Sequence, residues 1–399
     1  MRRSRMRVRT VCVITVTAAA SLSCGGTSGP TALGSSAGTV SPRPATSRPV
    51  AATPTPTAGA VVPRLSTRQL AGQRVVYSYR GRTPPAALFT RIRRGEAAGV
   101  MFFKANIASR AQIRGVITRL QKANEQSPVR APLLMMTDQE GGIVRRLPGD
   151  PVPSAKQVGA SSRPVTAAGQ AGTGAGQNLR GVGMNVNLAP VLDVHRTAGD
   201  FADQFQRSFS KDPNTVATLG AAFIRAQQRT GVAATAKHFP GLGTAGARQN
   251  TDLVPVTLRV PASTLRTVDE VPYKAAIAAG TKLIMLSWAR YPSLDPHRPA
   301  GLSPVVVQQE LRRRFGYTGV TITDALEAGG LREFGSTSRR GVLAAGAGMD
   351  LLLYSAQDVD QGINGLNALV GALRSGGLKS ADFSASAQRV MALRAGLKP

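Results

Sequence analysis

Eight short apolar runs recur along this chain, and most are separated by longer segments of helical periodicity. The runs are Val75 to Tyr79, Gly99 to Phe103, Leu133 to Met136, Met184 to Leu188, Val232 to Ala236, Leu283 to Leu286, Gly319 to Thr323 and Asp350 to Leu353. Helical segments between them include Ala111 to Asn124, Ala167 to Arg180, Val216 to Thr230 and Val305 to Phe315. Strands buried on both faces are apolar throughout rather than alternating, which is the pattern of a parallel sheet. Eight such units predict one α/β domain over residues 63–399, folded as a (β/α)8 TIM-type barrel with insertions. A doubly wound open sheet is the alternative, but no Gly-x-Gly-x-x-Gly follows the first strand. Ser66 is placed to cap a short helix where the folded sequence begins.

A barrel enzyme gathers its reactive side chains at the C-terminal ends of the strands. Here run three leads into Thr137-Asp138-Gln139-Glu140-Gly141-Gly142 and run four into Ala189-Pro190-Val191-Leu192-Asp193. Run five leads into Lys237-His238-Phe239-Pro240-Gly241, where Pro and Gly are expected to stop the strand after Ala236 and open a flexible loop. Run six leads into Ser287-Trp288 and run seven into Asp324-Ala325-Leu326. Singly, each reads equally well as a helix cap or turn; in succession they point into one pocket. Asp324, directly after Gly-Val-Thr-Ile-Thr, suits either the cap of the next helix or a positioned carboxylate. Arg146, Arg207 and Lys237 are the cations expected to keep it ionised. An ionised carboxylate is what a retaining glycosidase needs to attack an anomeric carbon. Asp138 with Arg146 suits clamping of sugar hydroxyls. Trp288 either stacks on a sugar face or fills the barrel mouth.

The N-terminus reads differently. Five arginines between Arg2 and Arg9 precede an apolar run from Val11 to Ala20, then Ser21-Leu22-Ser23-Cys24-Gly25. Residues 1–24 thus read as an export signal, too short to be a permanent span. Cleavage before Cys24 would leave one cysteine at the new N-terminus, an arrangement that resembles a bacterial lipoprotein with lipidation at Cys24. Ordinary secretion, with cleavage near Ala18 to Ala20, is the other reading. Residues 25–62 are Gly, Ser, Thr, Ala and Pro with little charge, a composition that reads as a disordered tether. The expected location is the outer face of the cell membrane. Lys+Arg 50 against Asp+Glu 21 gives a net charge of +29, which favours contact with anionic membrane or wall polymers. Aromatics at 5% supply no base-stacking platform, so nucleic acid is not an expected partner. No CxxC or HExxH occurs and the chain has His 3, so a metal is not expected.

Taken together, these motifs resemble those of bacterial β-N-acetylhexosaminidases of glycoside hydrolase family 3, the single-domain barrel kind. The resemblance rests on Asp138-Gln139-Glu140-Gly141-Gly142, Asn187 to Val194, Arg207-Ser208-Phe209, Lys237 to Gly241, Leu302-Ser303-Pro304 and Thr323 to Leu326. It implies retaining hydrolysis of terminal β-linked N-acetylglucosamine, often from peptidoglycan fragments, without a cofactor. It puts Asp324 on the family's nucleophile, and Asp138, Arg146, Arg207, Lys237 and His238 on positions that bind the sugar. Two positions depart from the pattern. The family's Asp-Ser-His stretch, whose His is the acid/base, aligns with Arg248-Gln249-Asn250, and Ala328 stands where a Met commonly follows the nucleophile. Asn250 cannot exchange a proton at neutral pH. The nearest titratable substitute is Asp252, on a loop rich enough in Gly and Ala to move.

Three functions remain open on these residues. The first is an exo-acting hexosaminidase on small saccharides or muropeptides, with Asp324 attacking and Asp252 donating the proton. The second keeps the pocket without the chemistry, as a sugar-binding lipoprotein, with transfer to phosphate by a phosphorylase as its variant. The third is a polyanion-binding surface protein driven by charge.

Overall fold

The computed structural model describes residues 65–397, so the export signal, Cys24 and the tether lie outside the described residues. Eight parallel strands follow one another around a ring: β1 Val75–Tyr77, β2 Gly99–Met101, β3 Leu134–Thr137, β4 Val186–Asn187, β5 Ala233–Phe239, β6 Leu283–Leu286, β7 Val320–Thr323 and β8 Leu352–Leu353. β8 pairs with β1, and a parallel bridge between Ile322 and Leu351 joins β7 to β8, closing the barrel. This is the TIM-type fold the alternating runs predict. Side-chain alternation divides the core in two. Leu134, Met136, Val186, Leu283, Met285, Val320 and Ile322 pack inside the barrel, whereas Met135, Ile284 and Leu286 face the surrounding helices.

Local signals account for the helices. Ser66 forms a capping box with Gln69, accepting from its N–H at 3.2 Å while the Gln69 side chain accepts from Ser66 N at 3.0 Å. Ser109 caps Arg110–Glu125, and Asp212 caps Pro213–Arg229, whose first position is the proline that suits a helix start. Val305–Arg314 is wound as a π-helix rather than the α-helix its periodicity suggests.

The main departure from the sequence reading is β5. Its pairing continues through Lys237, His238 and Phe239, with a register irregularity between Ala236 and Phe239. Pro240 ends the strand three residues later than expected. In a regular strand consecutive side chains face opposite ways; across this irregularity Lys237 and His238 both reach the barrel mouth.

At the opposite end, the seam between β7, β8 and β1 is held by Asp350, which is 0% exposed. One of its carboxylate oxygens accepts from Arg389 at 2.8 Å, and the other from Arg312 at 2.5 Å and Thr321 N at 2.8 Å. Arg74, just before β1, donates to the Asp350 carbonyl at 3.1 Å. Removing one partner of a buried ion pair strands the other charge, a loss of about 3–5 kcal/mol. Asp350→Ala is therefore expected to lower stability by about 3 kcal/mol, at the low end because Arg389 is partly solvated. The shift in the urea unfolding midpoint measures it, and an unshifted midpoint would show that the seam closes without this carboxylate.

Candidate active site

The C-terminal mouth of the barrel opens into a pocket of about 350 Å³, within the size range of small-molecule sites. Its floor is the top layer of the barrel interior, with Met101, Leu188, Met285 and Leu353. Polar groups from the strand ends and the loops beyond them form its walls. Asp138, Arg146, Arg207, Lys237, His238, Asp252 and Asp324 all line this one space, together with Asn250.

The fixed centre is Lys237, 2% exposed. Its ammonium donates to Asp138 Oδ1 at 2.8 Å and lies 2.6 Å from Glu140 Oε1. Glu140 also takes both arms of the Arg207 guanidinium, each at 2.8 Å. Asp138 and Glu140 flank Gln139, the first residue of the hairpin Gln139–Gly141/Val144–Arg145, whose register is irregular between Gln139 and Gly141, and both carboxylates meet the one lysine. That hairpin is pinned by Asn187 at the end of β4, whose amide accepts from Gln139 N at 2.9 Å and donates to Gln139 O at 3.0 Å. Burial pushes the Glu140 carboxyl up, but Arg207 and Lys237 outweigh it and hold it far below the usual carboxylate range. Burial works against the Lys237 charge too, and Asp138 with Glu140 overcome it, so its pKa is raised. Glu140 thus does in the structure what sequence reasoning left to others. Its signal was available in the acidic pair Asp138 and Glu140 at the exit of β3.

The pairing also revises two expectations. Lys237 and Arg207 are committed to Asp138 and Glu140 rather than to Asp324, and Arg146 approaches Asp138 Oδ2 only to 3.9 Å. Asp324 accepts from the N–H of Ala325 at 2.8 Å. Trp288 does not reach the pocket. It is 1% exposed, donates from Nε1 to Ala325 O at 2.8 Å, and so fills the barrel mouth beneath the nucleophile candidate's loop.

His238 has a partner the sequence left unassigned. Its Nδ1 lies 2.8 Å from Asp193 Oδ2, and the other Asp193 oxygen accepts from Leu242 N at 2.8 Å. An ionised carboxylate only accepts, so Nδ1 carries the proton and Nε2 is the atom left for a ligand. The two loops approach this closely because residue 243 is glycine. A Cβ there would stand 1.8 Å from Val194 O.

Asp252 and its loop also depart from expectation. The loop is anchored rather than loose: Gly329 N donates to Asp252 O at 2.7 Å and Gly330 N to Thr251 O at 2.9 Å. Position 329 must lack a side chain, since a Cβ would meet Leu253 O at 2.2 Å. Asn250 serves the turn, its side-chain oxygen accepting from Asp252 N at 2.9 Å. Although residue 252 is exposed, its carboxyl lines the pocket. There the surrounding protein, and after it the charge of Asp324, push its pKa up to about 6.

A barrel-mouth pocket with paired carboxyls and fixed cations now has a family behind it. The model of the glycosyl hydrolase family 3 N-terminal domain matches residues 71–393. The chain belongs to glycosyl hydrolase family 3. It is a glycoside hydrolase. It is 48% identical over 329 residues to a protein from Arthroderma benhamiae named an uncharacterized secreted glycosyl hydrolase, a match covering 82% of this chain and 93% of that one. A β-hexosaminidase from Stenotrophomonas maltophilia is 32% identical over 298 residues, 70% of this chain and 85% of its own. Among solved structures, a family 3 β-N-acetylglucosaminidase from a Paenibacillus species superposes with a TM-score of 0.78 at 32% identity. That match covers 83% of this chain but 63% of the longer Paenibacillus protein.

The Glu140 ion pairs carry a pH signature. A carboxyl whose folded pKa is depressed contributes stability above its unfolded value, and loses it as pH falls. Wild-type protein is therefore expected to lose stability progressively as pH falls below about 4.5, the unpaired value. Glu140→Gln should be less stable at neutral pH, with a flatter acid limb. Thermal unfolding across pH reads this; parallel curves for the two proteins would mean that Glu140 is not the group being titrated.

Proposed function

We propose that this family 3 glycoside hydrolase is a retaining exo-β-N-acetylhexosaminidase that releases terminal β-linked N-acetylglucosamine. One observation carries the reading: Asp324 and Asp252 line one pocket, and Asp252 has its pKa raised to about 6. Two carboxyls with unlike environments are what a retaining glycosidase divides between nucleophile and acid/base. The names of the S. maltophilia and Paenibacillus relatives supply the sugar class.

In this reading Asp324 attacks the anomeric carbon as the bond to the leaving oxygen breaks, and Asp252 gives its proton to that oxygen. Water then opens the glycosyl ester on Asp324 and returns a proton to Asp252, restoring both groups. Asp138, Lys237, Arg207 and the free Nε2 of His238 hold the sugar hydroxyls, with Arg146 at the rim. Because Lys237, Glu140 and Arg207 already brace one another, these groups are in place before the sugar arrives. Asp252 in this account takes over from the missing histidine at Asn250. Peptidoglycan-derived muropeptides are the proposed natural substrates, with residues 1–24 directing export and Cys24 lipidated. The name of the A. benhamiae relative supports export.

Mass spectrometry after reaction with a 2-fluoro glycosyl donor is expected to find the sugar on Asp324, and Asp324→Ala should abolish aryl N-acetylglucosaminide hydrolysis. An unlabelled protein would leave the pocket a binding site without this chemistry. A general acid must be protonated, so turnover of a natural disaccharide should be full below about pH 6 and decline above it, following the raised Asp252 pKa. Asp252→Asn should slow the disaccharide about 10² to 10⁴-fold and an activated aryl glycoside far less. Equal losses on both substrates would assign the proton to another group.

A further inference from the structure

The face of the barrel opposite the pocket carries a feature that catalysis does not use. Three clefts of about 400, 300 and 430 Å³ meet there. Arg180 lines the first and second, and Lys282 and Leu397 line the second and third, so they form one continuous groove. It runs past the turns that enter β4, β5, β6 and β7, which puts it at the N-terminal ends of the strands.

Five exposed cations line this groove: Arg114, Lys122, Arg180, Arg229 and Lys282. Glu125 is the single carboxylate in the lining among the described residues. Arg114 is held by Gly181 O at 2.6 and 3.1 Å, and Arg180 by Thr230 O at 2.6 Å. These partners are neutral carbonyls, so the guanidiniums are fixed in place with no carboxylate paired to them among the described residues. Arg389, which also borders the groove, is committed to Asp350 instead. Helix C-termini attract cations in general, which accounts for Lys122, Arg180 and Arg229 in last turns. It does not account for Lys282 on a turn, for Arg114 within a helix, or for the joining of their clefts.

We propose that this groove binds a linear polyanion, a chain of phosphate or phosphodiester groups laid across the base of the barrel. Cations spread along three joined clefts match a thread of charge better than a flat bilayer. Nucleic acid is disfavoured because the one aromatic in the lining, Tyr317, is buried, with its hydroxyl donating to Lys282 O and Val320 O at 3.0 Å. A polymer held here leaves the pocket mouth, on the other face, open to its substrate. The groove gives part of the chain's large positive charge a located surface.

The test titrates the full chain into fluorescently labelled long-chain inorganic polyphosphate, at salt from about 50 to 200 mM. Affinity is expected to fall steeply with salt. Arg180→Gln/Arg229→Gln/Lys282→Gln should weaken binding about tenfold or more and flatten the salt dependence. Arg82→Gln/Arg298→Gln/Arg339→Gln removes the same charge from exposed positions on the pocket side and should stay within about twofold of wild type. Thermal unfolding and aryl glycoside hydrolysis check that both variants fold, independently of binding. Equal losses in the two variants, no binding of polyphosphate by wild type, or tighter binding of phosphatidylglycerol vesicles or single-stranded DNA would each overturn the proposal.

Discussion

A lysine ammonium buried at the mouth of a barrel is unfavourable unless carboxylates meet it, and this requirement organises the pocket. Lys237 comes from β5, while Asp138 and Glu140 come from the segment beyond β3, so their ion pairs tie together strands separated by β4. Arg207, from the loop after β4, completes the set by taking both oxygens of Glu140. Ion pairs of this kind add little net stability compared with apolar packing, and losing any one member strands the rest. What they supply is definition: donors whose positions are set by one another rather than by a ligand. A sugar, which presents hydroxyls of fixed spacing and no charge, benefits from such a rigid array more than from any single strong contact.

Charge is also divided along the barrel axis. Asp138, Glu140, Asp252, Asp324 and Glu327 line the pocket alongside Arg146, Arg207 and Lys237, while Arg114, Lys122, Arg180, Arg229 and Lys282 border the groove at the opposite end, with Glu125 the single carboxylate there among the described residues. Glu327 is held by Ser355 at 2.6 Å and Gln361 at 3.1 Å, so its negative charge is fixed against neutral donors. The arrangement separates two kinds of recognition that would interfere if mixed. In the pocket Lys237 and Arg207 are taken up by Asp138 and Glu140; further carboxylates in the groove would repel an anionic chain.

How far the sequence reveals this depends on whether a property is local. Apolar runs showed the eight strands because each is buried on both faces, and the polar residues ending runs three to seven marked the mouth. The end of β5 was misplaced because Pro240 and Gly241 signal a stop, while the pairing of Phe239 with Leu286 that extends the strand is set by a partner 47 residues away. Trp288 was undecided between ligand and packing because its orientation depends on Ala325 and on Gly301, where a Cβ would stand 2.5 Å from the indole. Asp193 was seen at a strand end, but its tie to His238 needed the close passage of two loops that Gly243 permits.

The same distinction bears on the missing histidine. Read along the chain, Asn250 removes the family's proton donor, and a loop of glycine and alanine gives no reason to expect a replacement to be held in place. In the folded chain the loop is fixed from a distance, by the backbone of Gly329 and Gly330 just beyond Asp324. Segments bearing the two carboxyls are thus joined by hydrogen bonds between their own main chains. The side chain at position 328 in that segment is small, Ala328 lining the pocket where a longer residue is common in the family. In the proposed mechanism the two departures from the family pattern belong together: a shorter side chain beside the proposed nucleophile accompanies a proposed acid two residues further along a pinned loop.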